Sequence, residues 1–245
     1  MPTEPQVRIL ASPQELFRAA AGKFCEIGAR AIQERGRFAV ALSGGSTPRG
    51  LHQELAANFA SRLPWDKVFF FWGDERHVPP DSPESNYRMA NETLFSKLPI
   101  PAEHIFRIQS ELPDAGKAAQ AYEQKLRDFF HPAPGALPRF DFILLGMGPD
   151  GHTASLFPGT TALEEREHLV VANWVEKLSA FRITLTYPVL NHAGGVMFLI
   201  SGGEKAEMVA TALQIPGANL PCQRVRPEKG ELLWFLDADA AAKLS

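Results

Sequence analysis

The sequence predicts an α/β protein built on a mainly parallel sheet with helices on both faces. Short apolar segments alternate along the chain with longer segments of helical periodicity, which is the order of parallel β-α units. Several apolar segments, such as residues 68–72 and 196–200, are continuously hydrophobic, as is typical of strands covered on both faces. Right-handed crossovers are expected to place the loops that follow these strands on one edge of the sheet.

The composition favours a folded globular protein and weighs against several classes of partner. The 245 residues are 45% hydrophobic and 22% charged, and the length fits one domain spanning residues 1–245, with room for a small subdomain. The formal net charge is -3 and there is no basic run, so we expect neither a nucleic-acid nor a membrane partner. The two cysteines, Cys25 and Cys222, predict neither a disulfide nor a zinc site.

Targeting signals are not evident. Residues 1–5 lack the basic start and apolar core of a signal peptide, and no apolar stretch of about 18 residues occurs. We therefore expect a cytoplasmic protein, whose oligomeric state the sequence does not determine.

The first elements are a helix and a strand–loop–helix unit. Ser12 to Glu15 has the pattern of a capping box with proline at the first helical position, and Gly36 is a typical helix end. A strand at residues 38–42 then leads through the loop Ser43–Pro48 into a helix that reaches about Phe59. This order points backbone N–H groups at an anion, but a turn whose Ser or Thr caps the helix is an equally good interpretation.

The strand at residues 68–72 ends in a charged loop, Gly73–Pro80, which contains Asp74, Glu75 and Arg76. Taken alone, a solvated surface loop is the slightly better interpretation. Its position after a strand favours a ligand-binding loop instead, because open α/β sheets bind ligands at that edge. Helices are expected from Asn86 to about Lys97 and from Asp114 to Phe130.

The strand at residues 142–145 leads into a glycine-rich loop that presents Asp150 and His152. Glycine lets the backbone turn sharply and approach a ligand, and histidine titrates near neutral pH. We interpret His152 as a general base or acid acting on a small anionic substrate. The other histidines are interpreted as solvated or structural, with His77 left open by its position beside Arg76.

The last third of the chain continues the alternation. Strands are expected at residues 170–172, 181–186, 196–200 and 232–236, with a short helix or turn at 188–193, a helix through 208–213 and a final helix that starts at Asp237. The segment Ser201–Lys205 repeats the strand–Ser-Gly-Gly–helix order of Ser43–Gly45. We attribute this to shared turn chemistry rather than to duplication.

Six segments resemble the 6-phosphogluconolactonase family in sequence, order and spacing. They are residues 41–48, 72–78, 81–86, 146–158, 182–186 and 201–205. The resemblance implies a modified Rossmann-like fold and the hydrolysis of a small phosphorylated sugar lactone, 6-phospho-D-glucono-1,5-lactone, with no metal and no cofactor.

The resemblance also implies roles for individual residues. The catalytic histidine falls on His152, and the family's Asp-Glu-Arg loop falls on Asp74, Glu75 and Arg76. The phosphate site falls on Gly44, Gly45, Ser46, Thr47, Arg182 and Lys205. One departure is Lys177-Leu178-Ser179, where the family usually has Lys-Pro-Pro, so the resemblance does not define this loop or a role for its lysine.

Opening a lactone requires a water directed at C1, a base for its proton and a partner for the oxyanion. His152 suits the proton transfer, and either Asp150 or Asp74 can orient its imidazole. Arg76 can face the phosphate or the oxyanion, and the sequence does not decide between them. Arg182 and Lys205 are the best cation candidates because neither lies in a charge run.

Two other functions remain as alternatives. An aldose–ketose isomerase or deaminase on the same fold would use the same phosphate loop and histidine, but the segment Ala154–Pro158 fits the lactonase better. A sugar-phosphate sensor would be expected to carry a DNA-binding segment, and the sequence contains neither a basic region nor an appended helix-turn-helix.

Overall fold

The computed structural model describes residues 4–245. The prediction that no signal peptide is present rests partly on residues 1–3, which lie outside that range. Among the described residues, no helix has both the length and the apolar character that crossing a bilayer requires.

The central sheet has six strands, all parallel, in the order β1-β9-β8-β5-β2-β3. Its strands are β1 (Gln6–Leu10), β2 (Phe38–Leu42), β3 (Val68–Trp72), β5 (Phe142–Leu145), β8 (Gly195–Ile200) and β9 (Glu231–Asp237). Every residue of β2, β5 and β8 is buried. Because successive side chains of a strand point to opposite faces, both faces of the sheet are covered, as the continuous apolar segments predicted.

The described residues form six α-helices. They are α1 (Pro13–Arg35), α2 (Ser46–Asn58), α3 (Asn86–Thr93), α4 (Ala115–Phe130), α5 (Tyr187–Asn191) and α6 (Ala206–Gln214). The local signals for α1 are confirmed: the Ser12 hydroxyl accepts from the Glu15 N–H at 3.2 Å, and Gly36 ends the helix with a φ of 74°.

A second sheet contains three antiparallel strands, β4 (Asp74–Arg76), β7 (Ala180–Leu185) and β6 (Val170–Val175), in that order. The prediction of a polar loop at residues 73–80 is therefore wrong for residues 74–76. These residues pair with residues 182–184 of β7, more than a hundred positions along the chain. Local sequence patterns do not contain this partner, which is why the strand was missed.

At the ends of the chain, one strand was missed and one predicted helix is wrong. The strand β1 was not predicted, because it is a mostly exposed edge strand without a clear apolar pattern. Asp237 does not start a helix: it ends β9, and turns follow it. Its buried carboxylate accepts hydrogen bonds from the Ala240 N–H and from the Ser201 hydroxyl, so it caps a turn and holds a neighbouring loop.

The strand order places a crevice between β2 and β5. From β2 the chain continues to β3 on one side, while β5 continues through β8 to β9 on the other. The loops that follow β2 and β5 therefore diverge at the carboxyl edge of the sheet, which is where open α/β sheets bind their ligands.

Candidate active site

A cavity of about 290 Å³ lies at this carboxyl edge. It is enclosed by the loops after β2, β5 and β8, by β4 and by the start of α3. Its lining contains most of the predicted site residues: Gly44, Gly45, Ser46, Thr47, Asp74, Arg76, His152 and Lys205. Four distant segments with glycine-rich or charged sequences therefore meet in one place.

His152 is held by the side chain of Asp150. Its Nδ1 lies 2.5 Å from Asp150 Oδ1, and its ring stacks on Phe157 with 4.0 Å between centroids and 25° between planes. Asp150 itself lies outside the cavity lining, behind the imidazole. Of the two carboxylates considered as the orienting group, Asp150 makes this hydrogen bond, and the Asp74 carboxylate instead accepts from the Ser155 hydroxyl at 2.6 Å.

Charge and burial set the protonation state of this pair. Burial lowers the pKa of His152 below its ordinary value, and the Asp150 and Asp74 carboxylates oppose that effect. Burial alone raises the pKa of Asp150, but the Lys177 ammonium and the His152 imidazole outweigh it and set this pKa at about 2. At neutral pH the pair is therefore a neutral imidazole and a carboxylate. Because a carboxylate only accepts, Nδ1 carries the proton and Nε2 keeps a free lone pair.

Glycines allow the loop after β5 to fold tightly around the imidazole. A Cβ at Gly148 would lie 2.0 Å from His152 Cε1, so no larger residue fits while the ring stays in place. Gly151 has a φ of 75°, in the left-handed region that glycine adopts without steric cost. Gly148 therefore provides a close packing contact with the candidate base, and Gly151 allows the backbone to turn.

The loop after β2 forms the amino end of α2. The residue that precedes the helix is Gly45, with a φ of 110° and no capping side chain. The alternative in which Ser46 or Thr47 caps the helix is therefore wrong, because both lie inside its first turn. The N–H groups of this turn point out of the helix end, where they favour an anion. A Cβ at Gly44 would lie 1.8 Å from Asn86 Oδ1, so this loop also depends on a close approach.

Lys205 reaches the cavity from the loop after β8. Gly202 has a φ of 102°, and its N–H donates to Asp237 Oδ1 at 3.1 Å. Lys205 is half-buried and forms no ion pair with a carboxylate within residues 4–245. An ammonium without a local counter-charge is suited to an anionic ligand.

The three residues of β4 have different environments. Asp74 is buried and lines the cavity, and Arg76 lines it while its Nη1 donates to the Glu84 carbonyl at 2.7 Å. Glu75 is 1% exposed and accepts from the Asn86 and Tyr87 N–H groups, each at 2.8 Å. Burial raises the pKa of Glu75. Glu75 therefore anchors the start of α3 and does not face the cavity.

The structure places two other candidates outside the lining. Arg182 lies opposite Arg76 in the second sheet, and burial followed by the neighbouring Arg76 charge lowers its pKa. His77 Nε2 lies 2.7 Å from the Leu112 carbonyl, which is a structural contact. The family resemblance implied a phosphate role for Arg182, and the neighbouring Arg76 left His77 open, but the direction of both side chains depends on strand pairing.

Two lining residues were not singled out from the sequence. Asn86 is buried, and its Nδ2 donates to the Asp74 carbonyl at 2.9 Å. Ser43, at the end of β2, is 5% exposed, and its hydroxyl has no hydrogen-bond partner in the described part of the chain. A polar residue directly after a continuous apolar strand was the available signal for Ser43. Among residues 4–245, no three His, Cys, Asp or Glu side chains are grouped as metal ligands.

Known proteins resemble this chain in sequence and structure. The family model described as glucosamine-6-phosphate isomerases/6-phosphogluconolactonase matches residues 11–234. The chain is 46% identical to the 6-phosphogluconolactonase of Nostoc sp. over 217 residues, which are 88% of each protein. It is 41% identical to the rat 6-phosphogluconolactonase over 248 residues, covering 100% of this chain and 95% of the rat protein.

Solved structures share the same architecture. The 6-phosphogluconolactonase from Trypanosoma cruzi matches with a TM-score of 0.89 at 32% identity, covering 100% of this chain and 98% of the other. The predicted Rossmann-like α/β fold and the family resemblance drawn from six segments are both confirmed.

Proposed function

The chain belongs to the glucosamine-6-phosphate isomerase/6-phosphogluconolactonase family, and from that premise we propose that it hydrolyses 6-phospho-D-glucono-1,5-lactone to 6-phospho-D-gluconate. This is the lactone-opening step of the oxidative pentose phosphate pathway. One observation carries the proposal: an imidazole paired with a carboxylate lines the same cavity as the amino end of α2 and the unpaired ammonium of Lys205. The cavity thus combines a base with an anion site.

His152 acts as the general base in this proposal. Its Nε2 takes a proton from a water molecule, whose oxygen forms a bond to C1 of the lactone. The tetrahedral intermediate then collapses, the bond from C1 to the ring oxygen breaks, and the imidazolium returns the proton to that oxygen. Asp150 stays ionised throughout, because its pKa is about 2, and stabilises the imidazolium.

The phosphate binds remotely from C1, between the amino end of α2 and Lys205. Ser46 and Thr47 supply backbone N–H groups there, and no hydrogen bond within the described residues occupies the Ser46 hydroxyl. Local cations are needed because the chain as a whole has a net charge of -3. Binding energy from the phosphate positions the reacting carbon and so raises the rate as well as the affinity.

Arg76 supplies the second cation of the cavity. One of its nitrogens is held by the Glu84 carbonyl, which leaves the other guanidinium N–H groups for the substrate. Kinetics of Arg76→Met on the phosphorylated lactone and on D-glucono-1,5-lactone, which lacks the phosphate, distinguish its two possible partners. A loss of kcat/KM confined to the phosphorylated substrate indicates the phosphate, and an equal loss with both substrates indicates the oxyanion.

The test is acid release from freshly prepared 6-phosphogluconolactone, measured against its spontaneous hydrolysis. We expect His152→Ala to lose about 10²–10⁴-fold in kcat while the protein remains folded, the range typical of a general base. The matched control is His168→Ala, since His168 is exposed and contacts Glu123 outside the cavity. Equal rates for His152→Ala and the parent would remove His152 from the mechanism.

The same preparation separates the alternative functions. Ammonia release from glucosamine 6-phosphate without lactone hydrolysis would favour the deaminase. Binding of sugar phosphates with no turnover of either substrate would favour a sensor.

A further inference from the structure

The turn that joins β6 to β7 reaches the loop that carries His152. Lys177 lies in a single helical turn, Glu176–Leu178, and Ser179 follows it with a φ of 45°. A proline ring fixes φ near about -65° and does not fit this conformation at position 179. The Lys-Pro-Pro sequence therefore does not fit this turn as it stands here, and in this turn Lys177 reaches Asp150.

Lys177 contacts both groups that hold the imidazole. Its Nζ donates to Asp150 Oδ2, while the other oxygen of that carboxylate faces His152 Nδ1. The same Nζ lies 4.7 Å from the centroid of the Phe157 ring, which stacks on the imidazole. The ammonium thus contacts both the carboxylate that faces Nδ1 and the aromatic ring that stacks on the imidazole.

We propose that Lys177 is a positioning residue for His152: it fixes the Asp150 carboxylate and the Phe157 ring so that Nε2 stays directed into the cavity. This inference rests on the proposed function, because it assigns Lys177 to the reaction in which His152 is the base. Lys177 itself lies outside the cavity lining and acts through its neighbours.

The physical reason is that Asp150 is only partly buried, with 29% of its side chain exposed. A carboxylate at that exposure has two oxygens that water can solvate, and it can rotate about its own axis. With Lys177 bound to Oδ2, only Oδ1 remains for the imidazole, so the ring keeps one orientation and one tautomer. Trp174 stabilises the β6–β7 turn, because its Nε1 donates a hydrogen bond to Glu176 Oε2 at 2.6 Å.

The charges around the imidazole give a second signature. Asp150 lies on the same loop as His152, Lys177 on the β6–β7 turn and Asp74 on β4, while Arg76 and Lys205 line the same cavity as the imidazole. Burial lowers the pKa of His152, the two carboxylates raise it, and Lys177 lowers it. Removing the ammonium therefore raises the pKa of the base.

The test compares Lys177→Met, Lys177→Arg and the parent, with kcat and KM measured across pH. We expect kcat of Lys177→Met to fall on the order of tenfold, as for the loss of one charge-assisted hydrogen bond, with KM nearly unchanged. The acid limb of its kcat/KM profile, where activity declines at low pH as His152 becomes protonated, is expected to move to higher pH because the pKa of His152 rises. Lys177→Arg keeps the charge and the donors, so it is expected to restore both the rate and the limb.

The matched control is Lys23→Met. Lys23 pairs with Glu26 and Glu231, each at 3.0 Å, and Glu231 begins β9 at the opposite edge of the sheet. Thermal unfolding of each variant confirms that it is folded, and the control is expected to keep the parental profile.

The outcomes separate this inference from the proposed function. The inference is overturned if Lys177→Met keeps the parental kcat and the acid limb of its kcat/KM profile does not move. It is also overturned if the Met and Arg variants lose kcat equally while the acid limb of both stays at the parental pH. In either case an inactive His152→Ala variant, assayed beside them, leaves the proposed function intact. An active His152→Ala variant removes His152 from the mechanism and this inference with it, whereas a parent that does not accelerate lactone hydrolysis removes the proposed function.

Discussion

Gly148→Ala is expected to inactivate the protein by displacing His152 without unfolding it. The added Cβ would lie 2.0 Å from His152 Cε1 and 2.1 Å from Nδ1. A relaxed contact between carbon atoms needs about 3.5 Å, so the imidazole must retreat by about 1.5 Å. Gly148 does not have a positive φ, so its backbone accepts alanine and the ring is the part that moves.

The displacement acts directly on the proposed proton transfer. Moving the ring breaks the 2.5 Å contact between Nδ1 and Asp150 Oδ1 and withdraws Nε2 from the cavity. A misplacement of about 1 Å can cost about 10²-fold in rate, so we expect kcat to fall by at least that factor. The assay is the initial rate of lactone hydrolysis, with circular dichroism and thermal unfolding to verify the fold.

Gly22→Ala is the matched control for a glycine-to-alanine change. Gly22 lies in α1, and a Cβ there meets nothing within 4 Å. We expect unchanged kinetics and a gain of about 1 kcal/mol in the free energy of unfolding, from the higher helix propensity of alanine. Parental kcat in Gly148→Ala would refute the reasoning, because it would show that the base does not need its position over Gly148.

Three further predictions concern other parts of the molecule. Gly44→Ala is expected to lower kcat/KM at least about tenfold, because its Cβ would lie 1.8 Å from Asn86 Oδ1 and push that side chain into the cavity. The pH profile of kcat/KM is expected to stay level as pH falls through the ordinary histidine value and to decline only below it, since burial lowers the pKa of His152 and the base acts unprotonated. Tyr122→Phe is expected to lower the free energy of unfolding in urea by about 1–3 kcal/mol, because it leaves the buried backbone N–H and backbone carbonyl of Trp72 without their hydrogen-bond partner.

Each of these predictions has a contradicting result. Gly44→Ala with parental kinetics would mean that the Asn86 contact is dispensable. An acid limb above the ordinary histidine value would mean that the carboxylates outweigh burial at His152. Tyr87→Phe is the control for Tyr122→Phe, because the Tyr87 hydroxyl makes no hydrogen bond in residues 4–245, and equal unfolding free energies for the two variants would contradict the third prediction.

Local sequence patterns were sufficient for most elements of the central sheet. The continuous apolar segment Phe38–Leu42 is a fully buried strand, and the Ser12 cap and the Gly36 end bound α1 where the sequence placed them. These features depend on neighbours a few residues away, so the sequence contains all the information needed. The segment Asp74–Arg76 shows the opposite case, because its strand exists only through pairing with β7.

The candidate site likewise has features that local sequence predicts and features that depend on contacts between distant segments. The sequence by itself predicted which loops line the cavity, because strand–glycine–helix order and an Asp-x-His segment are local signals, and six segments carry the family resemblance. Only the tertiary structure decided how side chains are directed: Asp150 rather than Asp74 holds His152, Arg182 lies beside Arg76 outside the cavity, and Lys177 reaches Asp150 from another sheet. The reason is that the direction of a side chain is set by strand pairing and by contacts between segments far apart in the chain.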